Sequence, residues 1–225
     1  MQGRLWRVFG ILAIGHVVLM FGGLLLEGML PQLGSSKADA VKGLVDGGMT
    51  ARFAGGYVEA LSMIVFLVGA LLLGRLLRGR TDISAWLASC TVATAAITAG
   101  SALIVGFPAG AAAIYGGHHG ADLGTITTMN DLRNFAFFLA VAVQGVFAVC
   151  ASAGILATRT LGPWLGWGGI AVGAVSLVSV AGAGDGAHNF GNLALLAWWV
   201  VLGVAALRHR VSSAAAAGSR DSVAV

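Results

Sequence analysis

The sequence predicts an all-α fold: a polytopic integral membrane bundle of six transmembrane helices with both termini on the cytoplasmic side. Three observations carry this. The 225 residues are 58% hydrophobic and only 10% charged, with a mean hydropathy of +0.90. A soluble domain of that length needs a far more charged surface. Several apolar runs exceed the roughly 18 residues that cross a hydrocarbon core. The runs are continuous and do not alternate, which excludes a β-barrel.

The spans fall in order at about 5–30, 53–75, 83–108, 133–157, 163–183 and 191–208. Arg4 and Arg7 ahead of an apolar run imitate a signal peptide. The run is too long and no small-x-small cleavage site follows, so a retained first span is expected. The fifth and sixth spans are separated by "AGAGDGAHNFGN", which interrupts the apolar signal. Residues 1–210 are read as one transmembrane domain and 211–225, "VSSAAAAGSRDSVAV", as a disordered cytoplasmic tail.

Basic residues set the orientation. With the N-terminus inside, Arg4, Arg7, Arg75, Arg78, Arg80, Arg159, Arg208, Arg210 and Arg220 are cytoplasmic, while only Lys37, Lys42, Arg52 and Arg133 lie outside or at outer span ends. Trp6, Trp86, Trp164 and Trp167 then form an inner aromatic belt. Eleven arginines against two lysines, with abundant Ala, Gly and Val, point to a GC-rich bacterial genome and so to the bacterial inner membrane. The positive net charge is accounted for by span ends and does not imply nucleic acid. Cys90 and Cys150 sit in no metal-ligand spacing and read as small buried apolar residues.

Polar residues inside the spans are the functional signal, because an ionised group facing lipid costs several kcal/mol. His16, Met20, Gly23 and Glu27 share one face of the first span. Arg52 and Glu59 share a face of the second, with Glu59 about 10 Å deeper. The segment 115–134, "YGGHHGADLGTITTMNDLRN", reads as an outer loop running into the fourth span. There Asp131, Arg133 and Asn134 lead to Gln144, eleven residues beyond Arg133 on the same face. Asp185 and His188 precede the sixth span. Together His16, Glu27, Arg52, Glu59, Asp131, Arg133, Asn134, Gln144, Asp185 and His188 describe an outward-facing polar cavity, with His16 and Gln144 near its floor. The plainer alternative is that Arg52–Glu59 and Asp131–Arg133 are ion pairs tying helix ends together. For Glu59 itself a cation on another helix is expected, with Arg133 foremost and His16 second.

"HHGAD" and "DGAH" pair imidazole with carboxylate, but both read as glycine-rich loops that fix no geometry. No metal and no cofactor are therefore expected. HExxH, GxSxG, P-loop and dinucleotide motifs are all missing from the sequence. The reading is a membrane protein that binds a small polar or amphipathic ligand, as carrier, sensor or accessory subunit. The competing classes are an intramembrane enzyme using Glu59, His16 and Asp185, and a structural subunit without ligand. The expected partners are the bilayer, a small-molecule or lipid ligand, and a second copy or a larger membrane complex.

Three fragments, "GRLWRVFGILAIGHVVLMFGG", "LLLGRLLRGR" and "LATRTLGPWLGWGGIAVGAVSL", together with the six spans, carry a resemblance. The chain is similar to a broad group of six-span bacterial membrane proteins of unknown function, common in actinobacteria. The resemblance implies the multi-pass architecture and no activity or site residue. On the orientation derived above, a Gly120→Cys protein should react with a membrane-impermeant maleimide in intact cells. Reaction only after lysis would invert the topology.

Overall fold

A computed structural model describes residues 2–28, 30–33, 35–46, 48–182 and 187–209. Asp185 and the tail from 211 lie outside the described residues. The described chain is helical, with no strand. In order come α1 (Gln2–Glu27), α2 (Lys37–Val45), α3 (Met49–Leu77), α4 (Asp82–Gly100), a π-helical turn (Ser101–Gly106), α5 (Phe107–His118), α6 (Leu123–Thr158), α7 (Pro163–Ala181) and α8 (His188–Arg208). Six stretches are long and apolar enough to cross a membrane: α1, α3, the continuous Asp82–His118, α6, α7 and α8.

The third and fourth spans are longer than the sequence expectation, and residues 115–134 are mostly helix and not a loop. The expected third span ends at 108, where Pro108 stands, and a proline inside an α-helix loses a hydrogen bond and clashes with the preceding turn. The chain instead widens by one π turn, where the Phe107 amide donates to the Ala102 carbonyl, and continues as α5. After the short turn at His119–Ala121, Asp122 caps α6: its carboxylate accepts from the amide and hydroxyl of Thr125. The Thr125 hydroxyl, then its amide, hold that carboxyl below the usual carboxylate range. The first connection also contains an unforeseen helix, α2, capped by Ser36 on the Asp39 amide.

Around the bundle, α1 packs on α3 and α8, α3 on α4, α4 on α6, α6 on α7, and α7 on α8, so the spans close into a ring in chain order. Lipid supplies no hydrophobic drive between helices, so close packing of small residues must hold such a ring. It does so at reciprocal glycines. A Cβ on Gly10 in α1 would sit 2.7 Å from the Gly203 carbonyl in α8, and one on Gly145 in α6 would sit 2.9 Å from the Gly173 carbonyl in α7. A Cβ on Gly55 in α3 would overlap the backbone of Glu27, and one on Gly23 would overlap the Glu59 side chain.

Inside one half of the ring, Phe9, Phe66, Phe147 and Trp199 meet at centroid distances of 5.2 to 5.4 Å. Trp6 belongs to this core at 3% exposure, against Phe9 and His209, and not to an interfacial belt. Trp86, Trp164 and Trp167 do face outward, at the bundle end that also carries Arg4, Arg7, Arg75, Arg78, Arg80, Arg159 and Arg208. Cys90 and Cys150 are free thiols that neighbour each other across α4 and α6. At the opposite end, Leu30 and Leu44 of the first connection pack on Ala113, Ile114 and Ile126, so this segment lies over α5 and α6.

The α1–α3 crossing has no slack. Gly55→Ala should lower stability by about 1–3 kcal/mol or more through overpacking. Gly22→Ala, one residue off that face with nothing within 4 Å of the added carbon, should be neutral or mildly stabilising. Thermal unfolding in detergent compares the two, and equal shifts would contradict the crossing.

Candidate functional site

The polar residues gather where α1 ends and α3, α6 and α8 begin. Glu27 is the last residue of α1. The helix stops there because Gly28 takes a left-handed conformation, φ 73°, with its amide donating to the Leu24 carbonyl. The chain then crosses the bundle end, and the Pro31 carbonyl accepts from Nδ2 of both Asn130 and Asn134, each at 3.3 Å. Those amides are one helical turn apart on α6 and both buried, so they clamp the crossing segment onto that helix.

The crossing glycines bring Glu27 and Glu59 side by side, exposed by only 7% and 2%. Arg133 approaches from α6, its side chain lying against Gly110 of α5, where a Cβ would meet its Cδ at 2.9 Å. Its Nη2 lies 3.9 Å from Glu27 Oε2. That is a charge contact longer than a hydrogen bond, and the one ion pair among the described residues. Arg133 also donates to Asn134 Oδ1 at 3.3 Å and stands 5.1 Å from the Phe137 ring centroid. Glu59 has Glu27 and Arg133 as charged neighbours, yet its Oε1 is buried with no hydrogen-bond partner. Neither Arg52–Glu59 nor Asp131–Arg133 forms an ion pair.

A cavity of about 540 Å³ opens beside these groups. Glu27, Glu59, Arg133, Asn134, Gln144 and His188 line it, joined by Asn189 and Asn192 of α8. Met20, Met63, Phe137, Phe138 and Val141 supply apolar wall. Leu25, 84% exposed on the outer face of α1, and exposed Asn189 also border it, so the cavity reaches the side of the bundle between α1 and α8.

Three expected residues are elsewhere. His16 lies within the aromatic core, its Nδ1 2.9 Å from the Ser62 carbonyl and its ring 5.3 Å from that of Phe66. Met20 and Met63 stand on the cavity side of it along the same helices. Asp131 borders a shallow cleft with Gln32, Ser35 and Lys37. Arg52 lines a separate cavity of about 270 Å³, which shares only Glu27 and Arg133 with the larger one. Among the described residues no three His, Cys, Asp or Glu side chains converge as a metal set. Of the apolar wall the sequence reading places only Met20 on the polar face, although a signal exists for the rest: Met63 follows Glu59 by one turn, and Phe137 and Val141 lie on the face from Arg133 to Gln144.

No family model, curated protein or solved structure matches the chain.

The stability role of the ion pair is separable from Glu59. Glu27→Gln removes the ion-pair partner of Arg133, whose side chain is 13% exposed, and should cost up to about 3–5 kcal/mol. The double change Glu27→Gln with Arg133→Gln should recover most of that loss. Glu59→Gln should cost clearly less than Glu27→Gln. Denaturant titration in mixed micelles measures all three, and a Glu59→Gln loss equal to that of Glu27→Gln would show Arg133 to be shared evenly.

Proposed function

We propose that this protein sits in the bacterial inner membrane with both termini cytoplasmic, and that the larger cavity holds a small amphipathic ligand whose polar head faces Glu59. The reading rests above all on Glu59 Oε1, an acceptor without a partner, 2% exposed, at the wall of a cavity with both polar and apolar lining. A buried acceptor left unpaired costs about 1–3 kcal/mol, more when charged. A ligand bearing an N–H or O–H group removes that cost.

Charge narrows the class. Glu27 and Arg133 offset each other across 3.9 Å, which leaves Glu59 as the surplus carboxylate of this cavity. An ammonium head matches it, with Gln144 and Asn192 as further hydrogen-bonding groups lining the same cavity. An apolar tail fits Met20, Met63, Phe138 and Val141, and the side opening between α1 and α8 admits it from the bilayer. Carrier, sensor or accessory subunit are all roles that such a site serves.

Of the competing enzyme reading on Glu59, His16 and Asp185, the Glu59–His16 part is not supported by the geometry, because His16 is enclosed in the aromatic core and engaged by the Ser62 carbonyl. Asp185 lies outside the described residues.

Dodecylamine and dodecanol differ only in the head and separate the charge from the tail. In lipid nanodiscs, binding of dodecylamine should weaken roughly 10- to 100-fold in Glu59→Gln, as expected for losing one charge-assisted hydrogen bond, while dodecanol changes little. Equal affinity of the two for the native protein, or no effect of Glu59→Gln on the amine, would refute the reading.

A further inference from the structure

The smaller cavity carries a second site. It lies between α3 and the π turn with α5, and it meets the larger cavity only at the Glu27–Arg133 wall. Arg52 is exposed by 6% and lines it. Its Nε and Nη1 are buried and have no acceptor, and among the described residues no carboxylate lies within ion-pair distance. Glu27 lines the same cavity but its pairing contact is with Arg133. Arg133 is itself an electrostatic neighbour of Arg52, so two guanidiniums face one space with one carboxylate between them. That leaves one positive charge uncompensated, in a place where a bare cation is costly.

We propose that this cavity binds the anionic headgroup of a membrane amphiphile, a phosphate or carboxylate held by the Arg52 guanidinium. The position suits a headgroup: Arg52 is one turn into α3, at the end of its span. The surroundings suit a chain, because Phe53, Leu103, Phe107 and Ile114 form the walls. The mouth faces lipid, since Tyr57, 67% exposed, and Pro108, also exposed, both border it. The space exists because the π turn shifts α5 in register at Phe107 and Pro108, and because Gly56 has no side chain. A guanidinium presents paired donors matched to two oxygens of one anion, which is why arginine here points to phosphate or carboxylate and not to a neutral polar group.

The full-length chain is reconstituted in nanodiscs of phosphatidylcholine with an equal part of phosphatidylglycerol, extracted with its bound lipid, and analysed by native mass spectrometry. A parallel arm titrates inorganic phosphate by calorimetry. The expected result is phosphatidylglycerol retained over phosphatidylcholine by about tenfold, the size of one charge-assisted contact. That preference should vanish in Arg52→Gln and persist in Arg52→Lys. Gly56→Val, whose added carbon has ordinary clearance, 3.7 Å from Glu27 Oε1, should fill the cavity and abolish retention with Arg52 intact. Arg52→Gln should melt at or above the native temperature in lipid-free detergent, because it removes an unpaired charge. A fall in melting temperature there would show Arg52 to be a structural group and overturn the site. Equal retention of both lipids, or a preference unchanged by Arg52→Gln and Gly56→Val, would overturn it as well. Phosphate binding that depends on Arg52 without any lipid preference would overturn the amphiphile and leave a free-anion site. Glu59→Gln should leave the lipid preference intact, and Arg52→Gln should leave dodecylamine binding intact, so the two cavities stand or fall separately.

Discussion

The approach of α1 to α3 at Gly23 and Gly55 governs the polar end of the bundle. With any larger side chain at either position the helices separate, and Glu27 and Glu59 cease to be neighbours. With glycine at both, two carboxyl groups are set together in a medium where like charges repel strongly and each carries a large desolvation cost. A cation must reach them. Arg133 does so from α6, and it can because Gly110 of α5 leaves its aliphatic stem room to pass. One close helix crossing therefore requires a second close approach on the far side of the ring.

The same geometry divides the space. Glu27 and Arg133 stand as a wall with a cavity on either side. Their charges offset each other, so each side is characterised by what remains: Glu59 in the larger cavity and Arg52 in the smaller. Neither residue is in an ion pair among the described residues, and Glu59 Oε1 and Arg52 Nε and Nη1 are buried without a hydrogen-bond partner. A neutral wall between an acidic and a basic compartment follows from four charged residues on three helices, with no metal invoked. It also limits electrostatic coupling, since the charge on one side faces the other only across a contact that is already charge-compensated.

Much of this was legible in the sequence, and the failures have definite causes. Continuous apolar runs located all six spans, because only a helix satisfies its own backbone in lipid. The periodicity of 3.6 put Glu27, Glu59, Arg133 and Gln144 on inward faces, and the folded chain brings them to one cavity. Periodicity gives an angle around a helix, however, and not a distance from the ring's centre. His16 has the right angle but lies where the aromatic core fills the ring, so its polarity is absorbed by a main-chain carbonyl. Arg52 and Glu59 share a broad face, yet α1 lies against α3 between them and turns one to each cavity. The expected third span is bounded at 108, where Pro108 stands, and nothing in composition distinguishes a proline that ends a helix from one that a π turn accommodates. The helix α2 is short, polar and capped by a serine, too weak a pattern to stand out beside the spans.

The residues from 130 to 144 of α6 show why so many polar groups crowd one stretch of an otherwise greasy chain. Asn130 and Asn134 hold the Pro31 carbonyl and with it the segment that crosses the bundle end. Arg133, between them in sequence, faces Glu27 and forms part of the wall. Phe137, Val141 and Gln144 continue that face down the larger cavity. Cover, wall and lining are thus carried by one rigid helix, and none of them can shift without the others. The helix, at 36 residues, is extended about four turns beyond what the bilayer requires, and the added length is what lets it carry the cover. Asp122 caps that extension at its start. The polar density of the segment is therefore the consequence of a single element serving three surfaces at once, with the apolar face left over for α4 and α7 on either side.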